Sequence, residues 1–192
     1  MRRGIPLPSA MSEHLEELAH LEHVGDATPY AEHMHALIPN CTLLENFSST
    51  EVRLLAHFMD VYRASPGTEV IREGDGGDFM VMILQGRIEV RKRDRWNEMQ
   101  LIADVEPGRT LGEMSMIDGE PRFATCVAIE PALVAVLQRE SLARIIVEQP
   151  LLGAKILMEL VVMLSQRLRV TSSRLVAVLD AQARKDSGLH ED

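Results

Sequence analysis

A chain of 192 residues and 21.5 kDa can bury one good core with a helical appendage, and is too short for two full domains. Its 20 Lys+Arg stand against 29 Asp+Glu, a formal net charge of -9. That balance argues against a surface given over to nucleic acid or to an anionic membrane, while leaving room for a local basic patch. The two cysteines, Cys41 and Cys126, lie beside apolar residues and are too few for a disulfide scaffold, so they read as buried thiols in a reducing compartment. The N-terminus carries Arg2 and Arg3 but no apolar stretch behind them, which excludes a signal peptide. "ILMELVVML" is too short and too flanked by charge to span a bilayer. A cytoplasmic protein without a membrane partner is expected.

In chain order, the first ten residues read as loosely attached. "SEHLEELAHLEH" follows with Leu15, Leu18 and Leu21 at helical spacing, and reads as an amphipathic helix. "ATPYAEHMHALI" is a weaker helical segment ended by Pro39-Asn40. "SSTEVRLLAHFMDVY" is a further helix capped by Ser49 or Thr50. From Tyr62 the texture changes to short β-type runs broken by "SPG", "GDGGD", "QG", "EPG" and "DGEP". At least six strands are expected between Thr68 and Gln138. "RIEVRK" alternates, with Ile88 and Val90 on one face and Arg87, Glu89 and Arg91 on the other. "FMVMIL" is apolar on both faces, as a central strand should be. No crossover helix fits between these runs, so antiparallel β with roll or barrel closure is favoured over βαβ.

Helical signal returns after Arg139. "RESLARIIVEQ" reads as a short helix stopping near Pro150, and a long helix is expected from about Leu151 to about Leu179. Along it Leu157, Val161, Leu164, Leu168, Thr171, Leu175 and Val178 recur at spacings of four and three, a coiled-coil seam that calls for a partner helix. Packing of the same stripe on the β-domain is the competing reading. The domain reading is a mostly helical extension over 1–45, a β-roll over 46–149, a dimerisation helix over 150–180 and a polar, frayed tail over 181–192.

The segment "LGEMSMIDGEPRFAT" concentrates the chemistry. Gly112 permits a backbone approach that a side chain would block. Glu113 ends an apolar run, where an uncompensated carboxylate is costly and needs a donor such as a sugar hydroxyl. "MSMI" has room for about one helical turn, whose free N–H groups favour an anion. Arg122 is fixed by Pro121 just before "FATCVA", and its forked donors suit two phosphate oxygens. On chemistry alone the two charges could equally pair with each other across a turn.

These residues resemble the phosphate-binding cassette of the cyclic-nucleotide-binding domain family, Gly-Glu-(apolar)-small-(apolar)…Pro-Arg-small-Ala-(Thr/Ser), at the family's spacing. "PGTEVIREGDGGDFMVMILQGRIEV" is similar to its opening strands and glycine turns, through Gly74, Gly77 and Gly86. The resemblance runs from about Leu43 to Leu179. It implies a mainly β fold: an eight-stranded antiparallel jelly roll with N-terminal helices and a long C-terminal dimerisation helix. It also implies that Gly112, Glu113, Met114 and Ser115 hold the ribose side of a ligand, with Glu113 accepting from the 2′-hydroxyl. Arg122 and the Phe123–Ala124 backbone would then hold the cyclic phosphate.

Phe123 departs from the pattern, standing where the family has a small residue. A phosphate-binding hydroxyl is lost there, and the ring is expected to crowd the pocket. The threonine linked to guanine preference is absent. Thr125 is expected to support the strand. "QRLRVTSSRLV" is similar to the dimer helix of bacterial catabolite activators, where a Thr-Ser pair reads adenine across the dimer. Here that pair is Thr171 and Ser172, with Arg167 one turn earlier. The resemblance implies cyclic AMP as ligand, with cyclic GMP possible, and no other cofactor. Thr171 could alternatively bond the carbonyl four residues back and set register.

The regulators of the family continue past this helix into a helix-turn-helix domain, whereas this chain ends at Asp192. The expectation is a dimeric sensor signalling to an unidentified effector protein, without direct DNA binding. The alternative is a structural or protein-interaction module of the same fold that binds another ligand, for example a cyclic dinucleotide, or none. An enzyme is the third class. His14, His20, His23, His33, His35, His57 and His190 read as solvated helix-surface residues that form no metal set, and neither a nucleophile–base pair nor a phosphate loop appears.

Overall fold

The computed structural model describes residues 18–188. Along the chain run β1 (Glu22–Asp26), α1 (Ala31–Ala36), α2 (Ser49–Ala56), β2 (Asp60–Ala64), β3 (Glu69–Ile71), β4 (Phe79–Gln85), β5 (Ile88–Arg93), β6 (Met99–Val105), β7 (Thr110–Leu111), α3 (Glu113–Asp118), β8 (Thr125–Ala128), β9 (Ala132–Gln138), α4 (Arg139–Glu148) and α5 (Pro150–Gly188). Every strand pair is antiparallel. The strands form a five-stranded sheet ordered β1-β2-β9-β4-β7 and a four-stranded sheet ordered β3-β8-β5-β6. The described residues therefore hold nine strands where eight were expected, because β1 adds an edge to β2.

Two apolar clusters explain this layering. Phe79, Val81 and Ile83 of β4 and Val134 and Val136 of β9 share one cluster with Ile71, Ile88, Cys126 and Ala128 of the other sheet. The alternate residues Met80, Met82, Leu84, Ala135 and Leu137 belong to a second cluster with Leu55, Leu142, Ile145, Ile156 and Leu160. Period-two geometry puts these sets on opposite faces, so the five-stranded sheet is buried on both sides. The two-sided apolar reading of "FMVMIL" holds. The β5–β6 hairpin projects from the other sheet, and Trp96 near its tip is 68% exposed beneath the Arg95 guanidinium. Cys41 and Cys126 are both buried free thiols, the latter pushed up to about 12 by burial.

Three local expectations change. Residues 22–23 of "SEHLEELAHLEH" lie in β1, not in a helix, since pairing with β2 satisfies their backbone; residues 12–17 lie outside the described residues. His23 accordingly sits in a strand, 3.3 Å from Asp60 and against the Tyr62 ring. The cap of α2 is Ser48, not Ser49 or Thr50: its hydroxyl accepts from the Glu51 N–H, and the Glu51 carboxylate accepts from the Ser48 N–H, a reciprocal capping box. The long helix runs on to Gly188, past the expected stop near Leu179.

Leu152, Ile156, Leu160 and Met163 form the face of α5 that packs on the domain. The predicted seam lies elsewhere on the helix: Leu157, Val161, Leu168, Thr171, Leu175 and Val178 are exposed and Leu164 is half-buried. It is therefore not the stripe that covers the β-domain. Polar contacts tie α5 to the helical layer. Asn46 Nδ2 donates to the buried Glu159 at 2.7 Å, and Lys155 Nζ bridges both oxygens of Glu51 at 2.8 Å while lying over the Phe47 ring. Among the described residues no helix is long and apolar enough to cross a membrane.

Candidate ligand site

The site is built where β7 hands over to α3 and where the chain returns into β8. Gly112 caps α3 in the left-handed region at φ 82°. A Cβ there would lie 2.7 Å from Arg122 Nη1 and 3.1 Å from the Phe79 carbonyl oxygen, so both backbone and neighbours demand glycine. The helix that follows buries Glu113, Ser115 and Met116 and leaves Met114 exposed.

Glu113 is 1% exposed. One carboxylate oxygen, Oε1, accepts from Nη1 of Arg167 on α5, and Arg167 Nη2 donates to the Thr110 carbonyl at 2.9 Å. The other oxygen, Oε2, is buried without a hydrogen-bond partner among the described residues. An unsatisfied buried acceptor costs about 1–3 kcal/mol, so this oxygen is an acceptor awaiting a donor. Burial first, and then the charge of Arg109, hold the Arg167 guanidinium below the ordinary arginine value. Thr110, also buried, donates through Oγ1 to Met163 Sδ at 3.2 Å and so joins β7 to α5 a second time.

Arg122 is 2% exposed. Its Nη1 donates to the carbonyls of Phe79 at 2.8 Å and Gly112 at 3.0 Å, and its guanidinium lies 4.2 Å over the Phe79 ring. A Cβ at Gly77 would sit 2.1 Å from Arg122 Nε, which makes that glycine a steric requirement of the arginine's place. The backbone is clasped as well: Arg122 N–H donates to the Asp75 carbonyl, and Gly74 N–H donates to the Arg122 carbonyl, both at 2.9 Å. Of the two readings of the acid and the arginine, the structure gives Glu113 a different cation, Arg167.

Phe123 does not withdraw into the core; it is 56% exposed, with Lys92 Nζ 4.2 Å above its ring. Ala124 is buried, and Thr125 Oγ1 accepts the Glu73 N–H at 3.0 Å, the strand-supporting role expected of it. Arg139 Nη2 donates to the Ser115 carbonyl at 2.7 Å. The structure thus links Gly112 with Arg122 and Glu113 with Arg167 by direct contacts, while Ser115 and Ala124 are buried in the adjoining segments. Thr171 and Ser172 stand on the exposed part of α5, one turn beyond Arg167. Sequence reasoning missed Thr110, Arg139, Lys92 and Glu73. Thr110 accepts from Arg167 through its own backbone carbonyl, and Arg139 donates to the Ser115 carbonyl, contacts for which side-chain patterns carry no signal. Lys92 ends "RIEVRK", whose alternation was read only over Arg87–Arg91, and it carried no assignment of its own.

The model of the cyclic nucleotide-binding domain matches residues 62–149. A solved cyclic nucleotide-binding domain from Methylobacillus flagellatus is 38% identical, covering 83% of this chain and 89% of that one at a TM-score of 0.75. The cAMP-dependent protein kinase regulatory subunit of Yarrowia lipolytica is 31% identical over 54% of this chain and 27% of its own length. The CRP-like cAMP-activated global transcriptional regulator of Mycobacterium tuberculosis is 26% identical over 59% and 49%. The fold is a two-sheet β-roll with a ligand cassette and a long trailing helix, and the chain belongs to the cyclic nucleotide-binding domain family. It spans about a quarter to a half of the length of these curated relatives.

Proposed function

We propose that this chain is a sensor for a cyclic mononucleotide, with cyclic AMP the favoured ligand. The observation that carries the reading is Glu113: a buried carboxylate with Arg167 on one oxygen and, among the described residues, no partner on the other. A ribose 2′-hydroxyl supplies the single donor that Oε2 needs, at no cost in displacing Arg167. Arg122, held against two carbonyls beside Gly112, provides a charge-assisted fork for the cyclic phosphate, joined by backbone N–H groups of Ser115, Phe123 and Ala124. The two curated relatives are named for cAMP, which supports the adenine form.

The chain acts as a homodimer in this reading, through the exposed seam of α5. Dimerisation brings Thr171 and Ser172 of two subunits to the bases. Occupancy is read by Arg167, which belongs to the helix and to the cassette at once, so the ligand biases the position of the helix toward an effector protein. The role is regulatory rather than enzymatic, without direct DNA binding, in the cytoplasm. Calorimetric titration with cyclic AMP and cyclic GMP tests it. Binding of the first, weakened at least several-fold in Arg122→Ala, is expected; no heat from either at millimolar ligand overturns it.

A further inference from the structure

Phe123 is the cassette residue that fits its family pattern least, and its carbonyl is held by a side chain from another strand. Lys92 Nζ donates to the Phe123 carbonyl at 2.7 Å and to Glu73 Oε1 at 2.7 Å, and it lies over the Phe123 ring. Glu73 is anchored in turn: its Oε2 accepts the Arg93 N–H at 3.0 Å, and its own N–H goes to Thr125 Oγ1. The Lys92 bond holds the Glu73 carboxyl below its ordinary value, followed by the Arg93 N–H. One residue back, the Arg122 carbonyl is held by the Gly74 N–H.

A trans peptide is planar, and its N–H points opposite to its C=O. The Arg122 carbonyl shares a peptide with the Phe123 N–H, and the Phe123 carbonyl shares one with the Ala124 N–H. Fixing both carbonyls therefore fixes the direction of two consecutive N–H donors immediately after the arginine. We propose that Lys92, braced by Glu73 and covered by the Phe123 ring, is a positioning residue that aims the Ala124 N–H at an exocyclic oxygen of the cyclic phosphate. The aromatic ring then has a purpose at a place where a hydroxyl is missing: it shields the ammonium–carbonyl bond and so stiffens the remaining donor. This inference rests on the cyclic-nucleotide reading above.

The test titrates the wild-type chain, Lys92→Met and Lys92→Arg with cyclic AMP and with the two phosphorothioate diastereomers, which each replace one exocyclic oxygen by sulfur. Lys92→Met is expected to weaken cyclic AMP binding about three- to tenfold, the worth of a misdirected hydrogen bond to a charged group. Its loss should fall unequally on the two diastereomers, and Lys92→Arg should restore most of it. Glu73→Gln, which loosens Lys92 without removing it, should move binding in the same direction by less and serves if Lys92→Met does not fold. Unchanged binding in Lys92→Met, or an equal loss on both diastereomers, overturns the positioning role while the cyclic-nucleotide reading stands. A wild-type chain that binds none of the three ligands overturns that reading and this inference with it.

Discussion

Arg167, on the long helix, donates to Glu113, fifty-four residues earlier and at the mouth of the cassette helix. A carboxylate at 1% exposure is thereby paired with a guanidinium that is itself 45% exposed in its side chain. The same guanidinium reaches the Thr110 carbonyl. Helix and ligand cassette are thus one electrostatic unit before any ligand arrives.

Arg167→Met should destabilise the protein by about 1–2 kcal/mol, because Glu113 is left buried with neither oxygen satisfied, while the half-exposed arginine gave up part of its contribution to solvent. Urea unfolding at neutral pH measures this. Arg167→Met/Glu113→Gln should recover most of the loss, and a double variant no more stable than Arg167→Met contradicts the pairing.

Gly77→Ala should displace the Arg122 guanidinium, since the new methyl would stand where its Nε now lies. Overpacking of this kind costs about 1–3 kcal/mol. The sharper readout is cyclic AMP affinity, expected to drop at least as far as in Arg122→Ala; wild-type affinity would show that the arginine does not need its present position.

Much of this was legible in the sequence, and the parts that were not share a cause. β4 and the cassette are local statements: alternation, turn glycines and a fixed spacing all lie within a few residues. β1 was hidden because the leucines at 15, 18 and 21 impose a helical period up to its edge, while its pairing with Asp60–Ala64 is a tertiary fact. Ser48 was passed over for its neighbours because three consecutive Ser/Thr residues can each cap, and only the reciprocal bond to Glu51 chooses. The Glu113–Arg167 pair joins two separately recognised residues across the fold, a contact no spacing rule encodes.

Glu51 should make stability pH-dependent at the acid end. The Lys155 ammonium, followed by the Ser48 N–H and hydroxyl, pulls its carboxyl from the ordinary 4.5 to about 2. A depressed folded value means stabilisation that is complete above about 4.5 and is lost as pH falls toward about 2. The difference in melting temperature between wild type and Glu51→Gln should therefore be steady from pH 7 to 5 and shrink from pH 4.5 downward. A constant difference across that window refutes the linkage.

Leu168→Glu combined with Leu175→Glu places four carboxylates along the exposed seam of a dimer. Sedimentation should show a dimer for the wild type at micromolar concentration and a monomer for the variant. Cyclic AMP affinity should fall in the monomer if Thr171 and Ser172 reach the base from paired helices. A monomeric wild type removes the seam from the proposal.

The buried thiol of Cys126 sits in β8, four residues past Arg122, with its ionisation driven far above neutrality. Thiol reagents attack only the thiolate, so this sulfur is silent while the two sheets stay closed. Its alkylation rate is therefore a clock for the opening of the strand behind Arg122, read without an engineered reporter. Slower ticking with nucleotide bound would give the rigidity that the ligand lends to the roll in units of time.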